Sequence, residues 1–211
     1  MGNSIRKTKL NTVQDLRESG FGQPSPRHGL KLLFWLANEC VELDRQDNMV
    51  SGCEPRRGDF GFHHFGNFEK ILPSLLPGEG QKYFVVGNLN PEKHPGAQDL
   101  PDYVREDYDR PQISHASNKD RIILALLPGN GISKIYVTEH LDRSQGFDRK
   151  RTFRVTASLV SDIKDPELDL AAFLRQTGFY SAPFRRYAIV LGCVILLLCL
   201  IAVLYVIFTQ L

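Results

Sequence analysis

From Tyr187 to Phe208 the chain reads YAIVLGCVILLLCLIAVLYVIF, without a charge or a proline. As a helix this run is about 33 Å long, enough to cross a hydrocarbon core of about 30 Å. A buried core helix of a soluble domain is seldom apolar all round over such a length. The run therefore predicts a single transmembrane helix over 187–208. About 185 residues remain, enough for one domain with loose ends. The expected organisation is a flexible arm over 1–29, a cytosolic α+β domain over 30–180, a juxtamembrane stretch over 181–186 and the span.

Charge placement gives an expected orientation. Arg185 and Arg186 directly precede Tyr187, and no basic residue follows the span. The positive-inside rule then keeps the body in the cytosol, with Tyr180, Phe184 and Tyr187 at headgroup level. The opening MGNSIRKTKLNTVQDLRESG has no apolar stretch of the kind a signal peptide needs. A tail-anchored, single-pass protein is expected, in the endoplasmic reticulum or a secretory-pathway membrane rather than the mitochondrial outer membrane. Cys40 and Cys53 in the body could pair geometrically, but cytosolic thiols are expected to stay reduced. Met1-Gly2-Asn3-Ser4 begins like a myristoylation signal, but Arg6 stands where that signal needs Ser or Thr.

Within the body, Gly20, Gly22, Pro24, Pro26 and Gly29 break any helix and mark the arm. In LKLLFWLANECVELD, Leu30, Leu33, Phe34, Ala37 and Val41 recur at helical spacing, which predicts a buried helix over 30–44. The stretch 51–80 crowds Phe60, Phe62, Phe65 and Phe68 between glycines and is expected to lie over the core as an ordered aromatic loop. KYFVVGNL predicts a strand. RIILALL and ISKIYVTEH around Pro128-Gly129-Asn130-Gly131 predict a hairpin with an irregular second strand. FRVTASLV fits a strand or a helix start. Asp165 as cap and Pro166 as first residue predict a helix that Gly178 ends. Strands grouped around a hairpin, with helices at the ends, predict an α+β fold with a small antiparallel sheet.

With 26 basic against 24 acidic residues, no nucleic-acid partner is expected. His63, His64, Cys40 and Cys53 lack the paired close spacing of zinc ligands, so no metal is expected. His94-Pro95-Gly96, with His115 beyond it, resembles the haem turn of tail-anchored b-type cytochromes. The fourth position is Ala97, and Pro101 and Pro111 interrupt the stretch between the histidines. A plain turn is therefore expected there, and no cofactor. No phosphate-cradling loop and no nucleophile elbow is present. Basic residues from Arg143 to Arg154 suit a solvated connection or an anionic leaflet.

The expected function is a membrane-tethered adaptor or regulatory module that binds a protein at the cytosolic surface, besides the bilayer itself. The expected contact residues are Phe60, Phe62, His63, His64 and Phe65 in the aromatic loop, with Tyr103 and Tyr108 in the acidic one. The alternative is a membrane-bound enzyme acting on a lipid or membrane-associated substrate, with His63, His64 or His94 as acid or base.

Overall fold

In the computed structural model the described residues are 8–22, 28–53, 62–68, 70–75, 80–86, 99–105, 120–129, 131–142 and 146–178. The chain divides into Met1–Thr177 and Gly178–Leu211. The expected span 187–208 and its flank Arg185, Arg186 and Tyr187 lie outside the described residues, as do Phe60, His94, Tyr108 and His115. Among the described residues no helix is long and apolar enough to cross a membrane.

The hairpin signal was the most reliable of the sequence. In chain order the strands are β1 (Lys9–Leu10), β2 (Val41–Leu43), β3 (Met49–Ser51), β4 (His63–His64), β5 (Lys82–Val86), β6 (Asp120–Leu126), β7 (Gly131–Asp142), β8 (Gly146–Phe147) and β9 (Phe153–Val155). The helices are α1 (Val13–Ser19), α2 (His28–Trp35), α3 (Asp102–Arg105), α4 (Ala157–Ile163) and α5 (Leu170–Gln176). β6 and β7 form the expected hairpin, and their register shifts between Ala125 and Leu126, which is the irregularity anticipated there. The sheet runs β1-β9-β7-β6-β5-β4, with β3 also on β7, β2 on β3 and β8 on the end of β7. It is antiparallel except for β1, which runs parallel to β9. The fold is mixed α+β, and its sheet is larger than the sequence suggested.

β6 is buried on both faces because two different layers cover it. Tyr83, Val85, Ile123, Ala125 and Tyr136 share one face, since side chains alternate along a strand. There they pack with Phe65 and Leu72 of the loop after β4. Ile122 and Leu124 point the other way, and α2 packs on β6. Of the loop expected over 51–80, the described parts 62–68 and 70–75 thus place Phe65 and Leu72 over the core.

Three boundaries differ from the sequence reading, each for a physical reason. Residues 8–22 are not a loose arm, because Leu10, Val13, Leu16 and Phe21 are buried. Thr12 caps α1 by accepting from the Asp15 amide, and Gly20 closes it at a φ of 70°. The helix predicted over 30–44 stops early. α2 widens into a π turn over Leu36–Cys40, and Val41–Leu43 pairs as a strand with Met49–Ser51. Asp44 turns that pair by accepting from the Gln46 and Asn48 amides. The last helix starts at Asp169, whose carboxylate caps Ala172, while Asp165 instead holds a turn through Glu167 and Leu168.

Lys164 closes the π turn from a distance. Its Nζ donates to Ala37 O at 3.0 Å, Asn38 O at 3.3 Å and Val41 O at 3.0 Å. These are carbonyls that a helix end leaves unpaired. Cys40 and Cys53 are joined as a disulfide across Cα atoms 5.0 Å apart, in contrast to the reduced thiols expected.

Gly29 is where α2 meets β6. A Cβ built there would stand 2.5 Å from Asp120 Cβ, closer than packed carbons approach. Forcing a methyl into a filled core costs about 1–3 kcal/mol. Gly29→Ala should lower the unfolding free energy by about 2 kcal/mol, read from a chemical melt of the full chain in detergent.

Candidate functional site

The loop that crosses the sheet also builds a cavity of about 600 Å³ beside it. Its floor is apolar: Phe65, Leu72, Pro73, Leu75 and Tyr83. Its rim carries His64, Lys70, Lys82 and Arg149, with no carboxylate among the described lining residues. Glu69 lies outside the described residues. The volume falls within the range of about 300–1,000 Å³ usual for ligand clefts.

The loop holds its shape through one side-chain amide. Asn67 Nδ2 donates to Leu72 O at 2.9 Å, and Asn67 Oδ1 accepts from the Leu72 amide at 3.1 Å. Both Asn67 (φ 50°) and Lys70 (φ 52°) sit in the left-handed region. Asparagine tolerates that region in turns, whereas lysine is held there by its surroundings. Phe65 anchors the loop to the sheet through its amide on Tyr83 O (2.8 Å) and its ring edge-on to Phe147 at 5.3 Å. Tyr83 Oη donates to Pro73 O at 3.0 Å. Burial first, and then neighbouring Tyr136, pushes the Tyr83 phenol up to about 12. Tyr83 is therefore a neutral hydrogen-bonding wall at physiological pH.

At the tip of this clamped loop Phe68 is 88 % exposed, the exposed large hydrophobic side chain among the described residues. Its ring folds over Gly66, where a Cβ would meet ring atoms at under 3.0 Å. The glycine thus permits the displayed position of the phenylalanine.

The residues expected at the site are sorted by this geometry. His64 and Phe65 come together in the cavity. Phe62 and Phe65, expected as contact residues, are 3 % and 8 % exposed, so the first belongs to the core and the second offers only an edge. Phe62 and Phe65 flank the two-residue strand β4 and both rings are buried, while His64 is exposed and edge-on to Phe84 at 6.2 Å. Tyr103 sits on α3 away from this loop. Its phenol is pushed up to about 12, first by burial and then by the Glu39 charge. Cys40 and Cys53 are bonded to each other, and among the described residues no group of three or more His, Cys, Asp or Glu side chains is placed to hold a metal. The sequence reading placed Phe68 in the aromatic loop and Arg149 in the basic stretch but named neither as a contact residue, and it passed over Lys70 and Lys82. Asn67-Phe68 beside Gly66 was the available signal, a turn residue presenting an aromatic one.

A second cluster lies on the helix side of the sheet. Asp120 and Glu139 are directly paired across β6 and β7. Glu139 Oε2 accepts from Arg151 Nε at 2.8 Å, and Arg151 Nη2 donates to Gly20 O at 2.9 Å. Asp120 is 2 % exposed. Burial first, then the Glu139 charge, drives its carboxyl up to about 7, against the pull of Arg121, the Gly29 amide and Arg151. A buried titratable carboxyl is the kind of group that catalytic sites use. Asp120 lines neither this cavity nor the smaller one beside Thr12 and Asp162.

The chain matches no protein-family model, no curated protein and no solved structure.

Proposed function

We propose that this protein is a membrane-tethered interaction module that captures a protein partner through Phe68 and the adjoining cavity. The observation that carries this reading is the large aromatic ring displayed to solvent on a loop that its own hydrogen bonds hold rigid. Aromatic anchors beside a pocket are the residues that dominate interface energies. A loop already ordered loses little freedom on binding. The tether at 187–208 is part of this proposal. It raises the local concentration of partners confined to the same membrane, so modest affinity suffices.

The test is proximity labelling from the intact chain in cells. Phe68→Ala should lose the principal neighbour, since an interface anchor contributes at least about 2 kcal/mol. The melting midpoint should stay unchanged, because the ring packs on little of the fold. Unaltered labelling by the Phe68→Ala chain, at equal abundance, would rule the reading out. The alternative is an enzyme working through His63, His64 or His94; of these, His64 borders the cavity and His94 lies outside the described residues.

Two features pull the orientation in opposite directions. Arg185 and Arg186 favour a cytosolic body. The Cys40–Cys53 bond favours an oxidising compartment. Protease added to sealed microsomes separates them: degradation of the body assigns it to the cytosol, and protection assigns it to the lumen.

A further inference from the structure

We infer that the occupant of the Phe65–Tyr83 cavity is a peptide segment pairing an acidic side chain with an aliphatic one. This rests on the interaction reading above and names the chemistry of the partner. The cavity floor of Phe65, Leu72 and Leu75 gains from covering by an apolar group, at about 25 cal/mol per Å² removed from water. Lys70, Lys82 and Arg149 stand around that floor, each exposed, with no carboxylate among the described lining residues to neutralise them. Arg149 is held in place by donating to Lys70 O, which keeps two of the three cations on one side of the opening. An incoming carboxylate meets several donors at once, while a lysine at the same point meets repulsion. Complementary charge of this kind sets specificity and association rate more than raw affinity.

The shape argues for a peptide rather than a lipid surface. A flat bilayer reaches Phe68 and the cationic rim but leaves the recessed floor uncovered. A side chain projecting from an extended segment enters it. Phe68 then packs on the outside of that segment, and His64 on β4 borders its path.

The experiment uses the full chain in nanodiscs of phosphatidylcholine, which carry no net charge. Fluorescent peptides alternating Leu with Glu, and matched peptides with Lys in place of Glu, are titrated by anisotropy. The Glu peptide should bind and the Lys peptide should not. Lys82→Glu should weaken binding about tenfold, Lys82→Gln by less, and added salt should weaken it further, as expected for rim charges. Equal binding of both peptides, abolished by Phe68→Ala, would overturn the acidic assignment while leaving the interaction module standing. Failure of both peptides, with capture of phosphatidylserine vesicles that Lys82→Glu removes, would assign the face to membrane instead. Failure of both peptides and of the vesicles would overturn the assignment outright.

Discussion

Raising the pH from about 4 to about 8 should weaken the folded body by about 4 kcal/mol through Asp120 alone. The carboxyl is buried at the start of β6, and its folded value lies near 7 against a usual 3.8. Between these values the folded chain keeps a proton that the unfolded chain has already released. Stability contributed by the neutral form is therefore complete below about pH 4 and is lost as the pH climbs through about 7. The groups facing Asp120 set the size of the effect: Glu139 opposes ionisation, while Arg121, Arg151 and the Gly29 amide assist it. Asp120→Asn keeps an oxygen for the Gly29 amide and removes the charge. In the full chain it should flatten the stability profile between pH 4 and 8. At the alkaline end it should raise the melting midpoint by about 10 °C, given about 2–4 °C per kcal/mol for a domain of this size. Identical pH profiles for the two chains would refute the assignment.

Opening the Cys40–Cys53 bond should cost about 3 kcal/mol, the loop-closure entropy returned to the unfolded chain by releasing a loop of this length. The linked residues are separated by 13 positions and bracket the β2–β3 hairpin. Cys53 is the position to change. Cys40 is 1 % exposed, and a serine there would add a buried hydroxyl to the loss of the crosslink. Reductant should bring the wild-type denaturation midpoint down to that of Cys53→Ser and leave the variant unmoved. A midpoint insensitive to reductant would show that the crosslink contributes nothing to the fold.

How much of this was legible depended on whether the deciding contacts were local. The β6–β7 hairpin, strand β5 and the burial of Phe62 and Phe65 follow from runs of β-formers, a Pro-Gly turn and unusual aromatic density. Each is a signal confined to a few neighbouring residues. The early end of α2 was not legible, because the chain leaves the helix to pair with Met49–Ser51 and Lys164 caps the freed carbonyls from far along the sequence. The arm was misread for a different reason. The Gly and Pro residues after position 19 dominated the reading, although Thr12 and Asp15 offered a cap and Leu10, Val13 and Leu16 an apolar side. At the candidate site, aromatic crowding pointed to the correct loop but not to the ring that faces outward. Composition identifies a cluster, whereas the turn that Asn67 clamps decides which member is displayed. The cations of the rim come from three separate parts of the chain, so no sequence window contained them.

The parallel pairing of β1 with β9 has a kinetic consequence. Thr156 donates to Leu10 O across 146 positions of chain, and Lys9 and Leu10 align with Arg154 and Val155. Contacts of such range close only after the costly ordering of everything between them, which slows folding. The opening strand and the helix behind it thus wait, apolar side uncovered, until the last third of the body has folded. During that interval its uncovered apolar side is open to proteases and to misassembly.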